Sequence, residues 1–210
     1  MNIEDLSVYL FDRLSSPLPG VESQLQMAAY QNRLNIQTQD DATEAAVLVL
    51  LFPNVQSQIH TVFIERIQHD KDRHSGQIAF PGGKRDPIDP SLEACALREA
   101  EEEIGVDRQL VEVLGRLTPL YIPISNFIVT PIVGVVASEL SFQAQLSEVA
   151  SVLPTPLGHF ANKMTRRKTD MEIKEGLILK RVPYFDLDGR ILWGATAMIL
   201  NEFMAILEEL

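Results

Sequence analysis

Residues 80–106 read FPGGKRDPIDPSLEACALREAEEEIGV, and the fold and chemistry of the chain turn on this stretch. Successive helical residues rotate by about 100°, so Glu99, Glu102 and Glu103 (i, i+3 and i+4) place their carboxylates on one face while Glu101 points elsewhere. Like charges at that spacing weaken an isolated helix, and a divalent cation among the oxygens relieves the repulsion. Ligands that are all carboxylate suit hard ions, which makes Mg²⁺ or Mn²⁺ the expected cofactor. Asp89 is expected to N-cap the helix, Pro90 has the backbone angle of a first helical residue, and Gly105 is placed to terminate it. The helix is thus expected over residues 90–104. Leu92, Ala96, Ala100 and Ile104 form its apolar stripe, which runs beside the carboxylates rather than opposite them. Cys95, one turn earlier, is small enough to leave room for a ligand. Pro81-Gly82-Gly83 allows a tight turn with close backbone approach, suited to offering N–H groups to a phosphate.

An acidic run on a helix is most often a solvated face. Here it comes with Arg98-Glu99 ahead of Glu102-Glu103, with the closing Gly105 and with a glycine turn upstream. With these motifs the chain resembles the Nudix hydrolases, whose signature spreads a glycine, an upstream acid, an Arg-Glu pair, a Glu-Glu pair and a closing glycine over a loop, a helix and a loop. Arg98-Glu99-x-x-Glu102-Glu103-x-Gly105 matches in full. Upstream, Gly83 lies one residue further from Arg98 than in the family pattern, and Pro90 stands where the pattern has its first glutamate, with Asp89 beside it as the substitute acid. Spacing and resemblance together nominate Glu99, Glu102 and Glu103 as metal ligands. Arg98 is expected to turn away from the carboxylate face and pair with a loop acid such as Asp89, with Gly83 and Gly105 in support.

The strand candidate over residues 61–67, which carries Arg66, leads into a polar run, His69-Asp70-Lys71-Asp72-Arg73-His74-Ser75, before Gly76-Gln77 and residues 80–83. Taken alone this is a solvated loop, or in an acidic protein a local positive patch for a phosphorylated group. It resembles the signature of the coenzyme A pyrophosphatases, in which a strand ending in arginine continues through Arg-x-His-x-Gly-Gln to Phe-Pro-Gly-Gly. Arg66, His74, Gly76, Gln77 and residues 80–83 match; the loop is one residue longer, and Asp72 stands at the position of the loop arginine, with Arg73 or Lys71 nearby. The resemblance implies substrate contacts from Arg66, Arg73, His74, Gly76, Phe80 and Gly82. Val129-Thr130-Pro131 and the Trp193-Gly194 pair also resemble that subfamily, although core packing accounts for Trp193.

A length of 210 residues suits one sizeable domain, since a single core extends to ~250–300 residues. The net charge of −11 argues against a protein that coats nucleic acid or an anionic membrane. A single cysteine excludes an intrachain disulfide, and with no apolar span of ~20 residues or signal peptide the cytoplasm is the expected location. Residues 3–14 read as an amphipathic helix and a second helical or irregular segment runs to about residue 32, so residues 1–40 are read as an appendage to a 41–210 domain. Strands are expected at 45–52, 61–67, 110–117 and 127–137, with a loop over 119–125. Pro131 suits an edge or a bulge better than a central strand. A strand follows Glu148, an acid that in the family can serve as a further ligand or general base, although a lone glutamate before a strand is usually just exposed. Thr165-Arg166-Arg167-Lys168 reads as a solvated basic turn or a second phosphate contact. Strands over 173–184 and 191–193 and a closing helix over 194–209 complete the chain.

Strands on either side of one central helix, with helices at the ends, indicate an α/β/α sandwich around a mixed sheet. The resemblance adds the catalytic loop–helix–loop. It implies metal-dependent hydrolysis of a diphosphate in a small molecule, most specifically coenzyme A or acyl-CoA, giving 3′,5′-ADP and 4′-phosphopantetheine or its acyl form. Glu99, Glu102, Glu103 or Glu148 would accept the proton of the water. Other diphosphates (ADP-ribose, a dinucleotide, a nucleoside triphosphate) and a non-catalytic binding protein of the same fold are the alternatives. A homodimer is a common assembly in the resembling family.

Overall fold

The computed structural model describes residues 1–29, 38–67, 76–174 and 176–210. Strand β1 (Thr43–Pro53), apolar along almost its whole length, is the axis of the molecule. One of its edges pairs in parallel with β7 (Phe127–Val135), from Thr43↔Phe127 to Leu51↔Val135. Its other edge is shared. β4 (Gly82–Lys84) pairs with Ala45, Ala46 and Val47, while β2 (Ile59–Arg66) pairs only with Leu51, Phe52 and Pro53. β2 then diverges to pair with β3 (Ile78–Ala79) and β8 (Val149–Pro156). A fork therefore opens between β2 and β4, and the backbone of Pro81 and Gly82 crosses it, with Leu48 N–H donating to Pro81 O at 2.8 Å.

Side chains alternate strictly across this sheet because the strand period is two. Ala46, Leu48, Leu50 and Phe52 pack with Cys95, Ala96, Ala100 and Ile104 of α3 (Leu92–Ile104). Ala45, Val49 and Leu51 pack on the other face with Leu6 and Leu10 of α1 (Ile3–Leu14) and with Met198, Phe203 and Ile206 of α5 (Gly194–Leu207). The result is a mixed sheet with helices on both faces, the expected α/β/α sandwich. α2 (Gly20–Leu25) lies against α5, tied by Asn201 Nδ2 to Ser23 O at 2.8 Å. After β8 and α4 (Leu157–Ala161), a second sheet in the order β11-β10-β9 is built from β9 (Arg166–Lys174), β10 (Leu177–Leu187) and β11 (Arg190–Trp193).

Four expectations are corrected. Pro131 sits inside the sheet, opposite Val47 of β1. Its carbonyl accepts from Leu117 N–H at 2.9 Å. N–H and C=O of a strand residue point the same way, so the missing donor of Pro131 falls between β5 (Glu112–Arg116), which has ended, and β6 (Leu120–Ile122), which has not begun. β6 itself occupies the stretch expected to be a loop. Arg166, Arg167 and Lys168 open β9 rather than forming a turn. Helix α3 begins at Leu92 with Ser91 as its cap, two residues later than the Asp89-Pro90 start. No helix among the described residues is long and apolar enough to cross a membrane.

Candidate active site

The site is set by α3 lying over β1 and β4. Ser91 Oγ accepts the Ala94 N–H at one end of the helix, and at the other Gly105 takes the left-handed conformation, φ 71°, that a side chain would strain. Beneath it, Gly82 and Gly83 bring the β4 backbone into close contact. A Cβ on Gly82 would lie 2.3 Å from Ala46 O, and one on Gly83 would lie 2.5 Å from the Glu99 carboxylate. The Gly82 N–H donates to Glu103 Oε2 at 2.8 Å. Gly82 is therefore part of a strand, with its amide committed to a glutamate rather than open to a phosphate.

Arg98 organises the acids. Its Nε and Nη2 donate to the two oxygens of Asp89, each at 2.9 Å, and Nη1 lies 2.9 Å from Glu99 Oε1 and 3.0 Å from Glu102 Oε2. Hydrogen bonding to Arg98, against the opposing effect of burial, holds the Asp89 carboxyl down at about 2. The same pair raises the Arg98 guanidinium. The expectation that Arg98 turns away from the carboxylate face is thus corrected, because its long side chain spans Glu99 and reaches the i+4 residue Glu102.

Glu103 is buried beneath this clamp. Burial pushes its carboxyl up to about 7, opposed by the Gly82 N–H and by Arg66 and reinforced by the charges of Glu99 and Glu148. Burial likewise raises Glu99, opposed by Arg98 and reinforced by Glu102 and Glu148. Glu99 and Glu103 therefore both feel the charge of Glu148, although it lies 45 residues beyond Glu103 in sequence. The backbone explains how. Gln143 N–H caps Ile104 O and Gln145 N–H caps Glu103 O, each at 2.9 Å, and Glu148 O accepts from Ile67 N–H at 2.9 Å. The segment 143–148 thus binds the end of α3 to the end of β2.

Of the residues nominated for substrate contact, Arg66 reaches the site, its Nη1 3.7 Å from Glu103 Oε1. Gly76 is exposed at φ 70°. Phe80 is corrected to a core residue, 2% exposed with its ring 4.8 Å from that of Phe63, because the β3–β4 connection turns it inward. Arg73 and His74 lie outside the described residues. The partnership of Gly82 and Arg66 with Glu103 joins residues far apart in sequence, and no spacing rule announces it. The Ser91 cap had a signal, an N-cap residue type directly before a periodic apolar run.

As placed, no three acids among the described residues stand close enough to enclose a metal ion, and Arg98 Nη1 bridges Glu99 and Glu102. The chemistry of the donors nevertheless fits a hard divalent cation. Every candidate ligand is a carboxylate, and among the described residues Glu103 is buried with one hydrogen bond and a loose ion pair to offset its charge. Burial pushes the Cys95 thiol up to about 11, so without a metal it is protonated.

A model of the NUDIX domain matches residues 42–151, more than half of the chain. The chain belongs to the Nudix family. The uncharacterized Nudix hydrolase NudL of Yersinia pestis (strain Pestoides F) is 38% identical over 178 residues, covering 85% of this chain and 87% of the relative, and that of Yersinia pseudotuberculosis serotype O:1b (strain IP 31758) matches to the same extent. The crystal structure of the M. smegmatis Nudix hydrolase RenU shares the fold with a TM-score of 0.52 at 16% identity, over 80% of this chain and 88% of that one. As a Nudix hydrolase the chain acts on a pyrophosphate linkage, and Nudix enzymes in general use divalent metal ions.

Proposed function

We propose that the chain hydrolyses the diphosphate of coenzyme A or an acyl-CoA, releasing 3′,5′-ADP and 4′-phosphopantetheine or its acyl form. One observation carries this reading. The two ends of the coenzyme A-type signature, Arg66 and Gly82, converge on the same buried carboxylate, Glu103, at 3.7 Å and 2.8 Å. Glu99, Glu102 and Glu103 would hold Mg²⁺ or Mn²⁺, which when bound neutralises the diphosphate and polarises the attacking water. Asp89 holds Arg98, and Arg98 in turn orients Glu99 and Glu102. Gly82 and Arg66 orient Glu103. One of these glutamates, or Glu148, takes the proton of the water as its oxygen adds to phosphorus. The P–O–P bond breaks and the bridging oxygen leaves with the second phosphate. Arg66 and the loop residues Arg73 and His74 anchor the anionic substrate in an otherwise acidic molecule. The enzyme is read as a cytoplasmic homodimer.

A second reading, cleavage of ADP-ribose, a dinucleotide or a nucleoside triphosphate, is favoured by the extra loop residue and by Asp72 at the position of the loop arginine. Product analysis with Mg²⁺ or Mn²⁺ against coenzyme A and these alternatives, beside Glu102→Gln, separates them. Formation of 3′,5′-ADP from coenzyme A, lost in the variant, is the expected result. Cleavage of another diphosphate instead overturns the substrate. Folded, metal-binding protein without turnover on any of them indicates a binding protein.

A further inference from the structure

Residues 139–145, between β7 and β8, belong to no helix or strand. Their order comes from what they pack on. Leu140, Phe142 and Ala144 alternate with the period of an extended chain and lie half-buried on the core that α3 covers. The Phe142 ring meets that of Phe52 edge-on, with centroids 5.2 Å apart. The residues between turn their N–H groups to the helix, Gln143 to Ile104 O and Gln145 to Glu103 O. These carbonyls lie in the last turn of α3, where no intrahelical donor remains. Gly105 permits the close approach, since a Cβ there would lie 3.2 Å from that of Gln143 and 3.4 Å from its carbonyl oxygen.

Gln145 is tied on both sides. Its N–H holds Glu103 O, and its carbonyl accepts from Glu148 N–H and Val149 N–H, each at 2.9 Å. One exposed residue thereby joins, through its backbone alone, two acids 45 positions apart. Glu148 has its N–H on Gln145 and its C=O on the Ile67 N–H, so its place follows from how Gln145 is held. The charge of Glu148 reaches both Glu99 and Glu103. We propose that residues 140–145 form a strap, anchored by Phe142, that positions Glu148 relative to the catalytic helix; this role rests on the reading above in which Glu148 serves the hydrolysis. Phe142 is thus a positioning residue, with its ring on Phe52 and its effect at Glu148.

Hydrogen exchange and steady-state kinetics on the full chain, with whichever diphosphate it cleaves, test the strap. In Phe142→Ala the Gln145 and Glu148 amides should lose roughly tenfold in protection, while the amides of α3 from Ala100 to Ile104 keep theirs. The kcat should fall roughly ten- to hundredfold, since a misplacement of ~1 Å suffices for such a loss. KM and the Mn²⁺ dissociation constant should stay within about twofold of wild type, because Glu99, Glu102 and Glu103 keep their own supports. Phe142→Leu, which retains an apolar anchor, should restore most of both protection and kcat. In a Glu148→Gln background, Phe142→Ala should add less than about twofold, because the residue it positions has already lost its charge. Unchanged protection at Gln145 and Glu148, a kcat loss that adds in full to that of Glu148→Gln, or an equal loss of Mn²⁺ affinity overturns the proposal. A fully active Glu148→Gln overturns the catalytic reading of Glu148 and the positioning role with it. Absence of turnover on every diphosphate refutes the proposed hydrolysis instead, and the exchange data still decide whether Phe142 holds Glu148.

Discussion

Two buried glutamates lie on helices that cover opposite faces of the sheet, and their surroundings differ in kind. Glu202, on α5, is fully buried, and its oxygens accept from Thr118 Oγ1 at 2.6 Å, Gln24 Nε2 at 2.8 Å, Gly20 N at 3.2 Å and Thr118 N at 3.3 Å. Glu103, on α3, is 2% exposed and has the Gly82 N–H and a guanidinium 3.7 Å away. A carboxylate has room for about four hydrogen bonds. Glu202 has filled its capacity with neutral donors and pins α2 and the 117–119 connection to the closing helix. Among the described residues Glu103 is buried and short of partners, which leaves it able to accept a cation. Burial alone therefore does not mark a functional acid, whereas burial without saturation does.

The sharpest way to break this comparison is to neutralise both. Glu103→Gln should lower turnover by about a hundredfold or more and leave the melting temperature unchanged or raised, since an amide is easier to bury than a carboxylate. Glu202→Ala should do the reverse. Leaving the donors of Gln24 and Thr118 unpaired should cost about 2–4 kcal/mol, with kcat of the folded protein nearly unchanged. Paired thermal melts and steady-state assays decide, and a collapse in stability of Glu103→Gln would show that it is as structural as Glu202.

The glycines sharpen the contrast within the active face. Gly82→Ala drives a Cβ into the backbone of Ala46 and Val47 and should destabilise the fold by about 3 kcal/mol. Gly83→Ala meets only the end of the Glu99 side chain, which can move. It should keep most of its stability in urea titrations and lose activity.

The Asp89–Arg98 pair predicts a pH dependence. The carboxyl of Asp89 is held at about 2, below the ordinary 3.8, so the pair stabilises the native state at pH values above the unfolded pKa. The contribution, about 2 kcal/mol, should fade as pH falls from about 4 through 2. The stability gap between wild type and Asp89→Asn, from urea midpoints, should close over that interval. A constant gap would mean that Asp89 acts through shape instead of charge. The smallest effect expected is metal binding itself. At ten times its dissociation constant, Mn²⁺ should add about 1.4 kcal/mol to the wild type and to Glu202→Gln. It should add nothing to Glu103→Gln.

Much of this was legible in the chain. The apolar runs of β1 and β2 and the 3.6-residue periodicity of α1 and α3 reflect local preferences that tertiary contacts did not override, and Gly105 marked the end of α3 because few other residues tolerate its backbone angle. Pro131 was misjudged because the rule against proline in a sheet concerns one missing donor, and a gap between two neighbouring strands removes the need for it. Phe80 carried the signature of a substrate contact but packs on Phe63, since a motif records which residues recur together and not which way each one points. Glu202 had one signal, an acid inside the apolar run of α5, but its four donors come from two distant segments, α2 and Thr118.

What the sequence determined by itself was the set of elements and the spacing of the acids on one helix, because both follow from backbone geometry within a dozen residues. Only the tertiary structure decided the state of those acids. Which carboxylate is buried, which is clamped by Arg98 and which is satisfied depends on donors brought from elsewhere in the chain, and electrostatic energies are set by distance and burial rather than by order along the sequence.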